Sequence, residues 1–124
     1  MRPMLIYIAG PYRAPDAWRI NRNVHRAECV ATLVWEAGHY ALCPHANTRH
    51  GSGNVTDDQY LAGTMEMMRR CDAVLVLQNS TDSAGTRDEI IEAQALGIPV
   101  QHLSGISAFE VRRCVELLAR RLAA

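Results

Sequence analysis

The chain has 124 residues, enough for one domain that buries about two-thirds of the surface its unfolded form exposes, with no second core. Its formal charge is zero, 13 cations against 13 anions, which leaves no electrostatic footprint for duplex nucleic acid or an anionic membrane. No apolar run approaches the roughly 18 residues of a membrane span, and the amino terminus has Arg2 but no long apolar core, so a cytoplasmic protein is expected.

Met4 to Ala9 is a short apolar run rich in β-formers, ended by Gly10-Pro11, and reads as a strand. Residues 17 to 37 carry Trp18, Val24, Ala27, Val30, Leu33 and Val34 at helical spacing and stop at Gly38. His39 to Cys43 predicts a second strand, closed by Pro44. Residues 44 to 55 then form the longest stretch without a pattern, of the kind that is usually functional or mobile. Thr56 with Gln59 is a capping-box signature, so a helix is expected over about 57 to 70, with Asp57 and Asp58 favourable in its first turn. Residues 73 to 77 supply a third strand, 87 to 96 a third helix, Ile98 to Leu103 a fourth strand, and Ser107-x-x-Glu110 opens a last helix. Such alternation with short links implies an α/β fold, a four-stranded parallel sheet of order 2-1-3-4 with helices on both faces, Rossmann-like or flavodoxin-like. Its ligand crevice would lie at the carboxyl edge, between the turn Gly10-Pro11-Tyr12-Arg13 and the turn Ser83 to Thr86.

The stretch from Asp82 to Glu89 therefore puts a hydroxyl, a glycine and a carboxylate at the mouth of a buried strand. Glu89 has two readings. Thr86-x-x-Glu89 is itself a capping box, and Gly85 serves a tight turn. Alternatively, a carboxylate at a helix start, kept ionised by the helix dipole, is a nucleophile or stabiliser of an oxocarbenium-like centre. Ser83 and the amides of Gly85 and Thr86 would then offer donors to an anion, and Arg13 a bidentate partner to phosphate, its plain alternative being a surface arginine beside Asp16. All 13 cations are arginine, which suits phosphate recognition and follows equally from a GC-rich genome.

Neither G-x-G-x-x-G nor G-x-x-x-x-G-K-[ST] occurs, nor G-x-S-x-G, so no cofactor is expected and a serine hydrolase is poorly supported. Cys29, Cys43, Cys71 and Cys114 lie far apart beside apolar segments and read as buried free thiols. Cys43, His45 and His50 in one loop are a weak zinc signal, and no metal is expected.

Ile6-Tyr7-Ile8-Ala9-Gly10-Pro11-Tyr12-Arg13, Asp72 before an apolar strand, Ser83-x-Gly85-x-x-x-Glu89-x-x-x-Ala93 and Gly97-Ile98-Pro99-Val100 together resemble the nucleoside 2-deoxyribosyltransferase superfamily, over roughly residues 5 to 103. The nearest branch is that of the nucleoside 5'-monophosphate N-glycosidases and their small relatives without assigned activity. The resemblance implies that Glu89 attacks the anomeric carbon C1' and that Tyr7 holds the nucleophile and the sugar. It implies that Ser83, where transferases carry an aspartate, marks the monophosphate hydrolases, whose arginine and histidine Arg13 and His45 resemble. Gly10, Gly85 and Thr86 complete the expected substrate contacts. One departure is Thr64, where both branches carry an acid that protonates the leaving base; Asp57 and Asp58, two turns earlier, are the candidates to replace it. A homodimer is implied, with the helix around Tyr60, Met65, Met67 and Met68 a candidate face, although core packing explains that stripe as well. The partner is then a small-molecule nucleotide, not a nucleic acid polymer or a membrane. The function expected is hydrolysis of the base–sugar bond of nucleoside or deoxynucleoside 5'-monophosphates. The alternatives are nucleoside deoxyribosyl transfer, disfavoured by Ser83, and a non-catalytic nucleotide-binding or sensing module, favoured by Thr64.

Overall fold

Residues 2–47, 53–78, 80 and 82–124 are described by the structure, a computed structural model, and His50, Gly51 and Ser52 of the long loop lie outside them. Four strands, β1 (Leu5–Ala9), β2 (Tyr40–Leu42), β3 (Ala73–Val76) and β4 (Val100–His102), form one parallel sheet in the order β2-β1-β3-β4. The register sets Tyr7 opposite Leu42 on one side and Val74 on the other. Among the described residues five helices connect or follow them: α1 (Ala17–Glu36), α2 (Pro44–Asn47), α3 (Asp57–Arg69), α4 (Ala84–Ala95) and α5 (Ala108–Ala123).

Because side chains alternate along a strand, β1 and β3 feed two separate cores. Ile6, Ile8, Ala73 and Leu75 pack with Val30, Val34, Val111 and Leu118 beneath α1 and α5. Tyr7, Ala9, Val74 and Val76 pack with Met68 and Ala93 beneath α3 and α4. Burying both faces requires strands without polar residues, and β3 is buried at every position. Tyr7 thereby faces α4, the one geometric fact on which the site depends.

Helix ends are set by local chemistry. Thr56 and Gln59 exchange side-chain-to-backbone bonds of 3.1 and 2.8 Å, a complete capping box on α3. Asp16 accepts from the Arg19 amide at 2.8 Å to cap α1, and Gly38, at φ +89°, ends that helix where a residue with Cβ would be strained.

Two expectations need correction, and one open pair of readings is resolved. The segment after Pro44 is not all irregular: Pro44 opens the short helix α2, its fixed φ suiting the first helical position. Of the two readings of the methionine stripe, core packing is the one found: Met68 is fully buried and Met65 and Met67 pack against the α3/α4 core, while Tyr60 lines the cavity described below. The third helix begins at Ala84, not at residue 87, because Ser83 supplies the cap, its Oγ accepting from the Thr86 amide at 3.3 Å.

Among the described residues no helix is long and apolar enough to cross a membrane. At the sheet's β4 edge, Arg121 of α5 donates to the Val100 carbonyl at 2.8 Å.

Candidate active site

At the carboxyl edge of β1 and β3 lies a cavity of about 730 Å³, well within the range of small-ligand sites. Tyr7, Gly10, Arg13, His45, Asp57, Ser83, Gly85, Thr86 and Glu89 all line it. Segments distant in sequence converge there because β1 and β3 are neighbours while their following connections leave in different directions.

The floor is a two-residue unit. Tyr7, 1% exposed, donates its phenolic proton to Glu89 Oε2. Burial and the facing carboxylate hold the Tyr7 phenol far above its ordinary range, so it remains a donor. Burial also pushes Glu89 up to about 7; the Tyr7 hydrogen bond opposes that rise and Asp88 adds to it. With Oε2 occupied by Tyr7, Oε1 is the oxygen left for a ligand.

Two expectations about Glu89 therefore change. It is not part of a capping box, since Ser83 caps α4 and Thr86 is buried inside the first turn. Nor does the helix dipole hold it ionised: Glu89 falls in the second turn, where the dipole's effect has faded and desolvation dominates.

The wall at the amino terminus of α4 presents hydrogen-bond donors to the cavity, beside the carboxylate of Asp82. Ser83 Oγ accepts from the Thr86 amide and, at 2.8 Å, from the Thr86 hydroxyl. With both lone pairs used, the Ser83 hydroxyl proton is free to point into the cavity. The Thr86 amide is spent on this cap, contrary to the expectation that it serves a ligand. Of the first amides of α4, those of Ala84 and Gly85 are left without an intrahelical or capping partner. Gly85 is helical and makes no tight turn; a Cβ there would lie 3.4 Å from Leu61 Cδ2, an ordinary contact.

Opposite stands the loop after β1. Gly10 is glycine because a Cβ would come within 2.5 Å of Leu77 Cδ1, so this turn and the end of β3 are pressed together. Arg13 crosses the cavity mouth to Asp57 at 2.5 Å, both side chains largely exposed, and this ion pair raises the Arg13 pKa. His45, 4% exposed, places Nε2 3.0 Å from the Pro11 carbonyl and its ring edge-on to Tyr12. Its Nδ1 is buried with no partner among the described residues. Burial lowers the His45 pKa, keeping the ring neutral with Nε2 the donor and Nδ1 an open acceptor.

Asp58 does not line the cavity: one residue from Asp57 is about 100° around the helix. The same periodicity locates residues that motif spacing passes over, since Asp57, Tyr60, Leu61 and Thr64 recur at one face of α3 and all line the site. Tyr12, Pro44 and Asp82 also line it. Thr64 Oγ donates to the Leu61 carbonyl at 3.2 Å and stands beside the Tyr7 phenol. Among the described residues no three His, Cys, Asp or Glu side chains are placed to hold a metal; His50 lies outside them. All four cysteines are free thiols, three of them buried and Cys29 half-buried.

A family model described as "Domain of unknown function (DUF4406)" matches residues 4–102. No curated protein matches the chain. Among solved structures, one described as a 2-deoxyribosyltransferase from the psychrotolerant bacterium Bacillus psychrosaccharolyticus is similar at a TM-score of 0.60 and 20% identity, over 79% of this chain and 70% of that one. At that identity the likeness is one of fold.

Proposed function

The chain belongs to the DUF4406 family, and we propose that it is an N-glycosidase of nucleoside or deoxynucleoside 5'-monophosphates that works through Glu89. The observation that carries this reading is the buried Tyr7–Glu89 pair at the bottom of a ligand-sized cavity whose rim carries Arg13, the Ser83 hydroxyl and the amino terminus of α4. A carboxylate with one oxygen fixed by a phenol and the other open is a pre-aimed nucleophile.

In the first step Glu89 Oε1 bonds to C1', the C1'–N bond breaks, and its electron pair leaves with the base, which takes up a proton. In the second, water attacks C1' of the glycosyl ester, losing its proton and returning the carboxylate with release of the sugar phosphate. Arg13, the Ser83 hydroxyl and the Ala84 and Gly85 amides bind the 5'-phosphate. Asp57, the α3 carboxylate that lines the cavity, gives the base its proton. A phosphate arriving at Arg13 competes with Asp57 for the guanidinium and so releases Asp57 to the cavity.

The structural neighbour's chemistry, deoxyribosyl transfer, also needs an activated C1', so the two enzyme readings share the nucleophile and differ in the acceptor. Thr64 favours a third reading, binding without turnover, because its hydroxyl is bonded to backbone and brings no acid to the base. Incubation with nucleosides and their 5'-monophosphates, scored for free base by chromatography, separates them. Base released from monophosphates by the wild type and not by Glu89→Gln is the expected result. Base exchange without net hydrolysis would assign transfer, and binding without release would assign the sensing module.

A further inference from the structure

A second cavity, of about 330 Å³, lies against the other side of the loop after β1, and four arginines, Arg13, Arg19, Arg22 and Arg26, stand in its wall. Three of them come from the first half of α1 at i, i+3 and i+7, positions that one helical face presents together. Arg13 is paired to Asp57 at 2.5 Å and Arg19 to Asp16 at 3.6 Å. Arg22 and Arg26 have no carboxylate within ion-pairing distance among the described residues; Arg22 lies over the Trp18 ring, 5.4 Å from its centre. At the cavity floor the buried Asn23 donates to the Tyr12 carbonyl at 3.2 Å, which ties α1 to the loop and holds the arginines beside the first cavity. Pro11 and Arg13 line both cavities.

In a chain of zero net charge this is a strongly one-sided local field. Two unpaired guanidinium forks one helical turn apart match a tetrahedral dianion, each fork taking two oxygens, better than they match a single carboxylate. We propose that this cavity is a second phosphate subsite, taking a phosphate beyond the one at Arg13 and Ser83. Its source is either the same nucleotide, as a 5'-diphosphate, or free inorganic pyrophosphate. The nucleotide source rests on the function proposed above; the free anion does not.

The test is calorimetric titration of the intact protein with inorganic pyrophosphate, and separately with a nucleoside 5'-monophosphate and 5'-diphosphate. The variants are Arg22→Gln with Arg26→Gln, and as a charge-matched control Arg112→Gln with Arg120→Gln on α5. Far-UV circular dichroism checks that both pairs fold. If the phosphate is free, pyrophosphate binds the wild type and the α5 control alike and the α1 pair weakens it about tenfold or more. If it is carried by the nucleotide, the diphosphate outbinds the monophosphate by a similar factor and the α1 pair removes that advantage. Pyrophosphate and diphosphate binding that is absent, indifferent to the α1 pair, or weakened equally by the α5 pair overturns the proposal. Both arms measure binding, so they test the subsite even if the protein releases no base.

Discussion

Replacing Glu89 by glutamine should make the folded protein more stable above neutral pH while removing base release. The carboxyl is shifted from 4.5 up to about 7 by burial, so its folded-state value lies above its unfolded one. As pH rises past the unfolded value the unfolded chain sheds this proton first, and folding loses stability until the folded value is passed. Moving a carboxyl over that interval withholds about 3 kcal/mol from the folded state once both forms are ionised, of which about 2–3 kcal/mol falls between about pH 5 and pH 8. Glutamine has no such titration, is nearly the same size, and its carbonyl oxygen still accepts from Tyr7. Urea unfolding of wild type and Glu89→Gln at the two pH values isolates the effect, because His45 and every other titrating group is common to both and cancels in the difference. Parallel stability profiles for the two proteins would refute the claim that Glu89 is held against its charge by burial.

If Glu89 must be ionised to attack, kcat/KM for base release should rise with pH on the acid side and level off above about 7, a limb recorded from initial rates across pH. Arg13→Gln should weaken a nucleoside 5'-monophosphate far more than the free nucleoside, about a hundredfold in kcat/KM, since a charge-assisted phosphate contact is worth a few kcal/mol; equal losses on both substrates would remove Arg13 from phosphate binding. Gly10→Ala should destabilise by about 1–3 kcal/mol in urea unfolding, because its Cβ would press on Leu77 Cδ1 at 2.5 Å, and a concurrent Leu77→Ala should recover part of the loss by opening that space. Thr64→Asp should raise turnover on ordinary bases if Asp57 protonates them poorly, whereas Asp57→Asn should abolish it if Asp57 already serves; no change in either variant would leave leaving-group protonation to neither residue.

The sheet could be read in advance because its strands are short, its two central strands apolar, and all four separated by helical spacing, a pattern with few topological solutions. The convergence of the Gly10 to Arg13 turn with the Ser83 to Thr86 turn followed from that order alone. The start of α4 could not be read so surely, since Ser83-x-x-Thr86 and Thr86-x-x-Glu89 are rival caps written in overlapping residues. Tertiary burial chose between them, Thr86 being packed inside while Ser83 stays at the rim. That three-residue shift carried Glu89 out of the first turn, and with it went the reason to expect a low pKa. Desolvation of one carboxyl and the stranded Nδ1 of His45 depend on what surrounds them in space, which no spacing along the chain encodes. The choice of Asp57 over Asp58 was, by contrast, available from helical periodicity once Tyr7 was taken to face the same cavity.

The bond from Arg121 to the Val100 carbonyl bears on how copies of this chain can meet. In the β4 register Pro99 and Leu103 bond inward to β3, so Val100 directs its peptide groups outward, where a fifth strand would dock. A guanidinium already occupies that acceptor, and a strand of three residues offers little other template. Growth of the sheet by edge-to-edge stacking is therefore blocked at the β4 end by the terminal helix itself for as long as α5 stays docked, which leaves β2 as the edge where an added strand could pair.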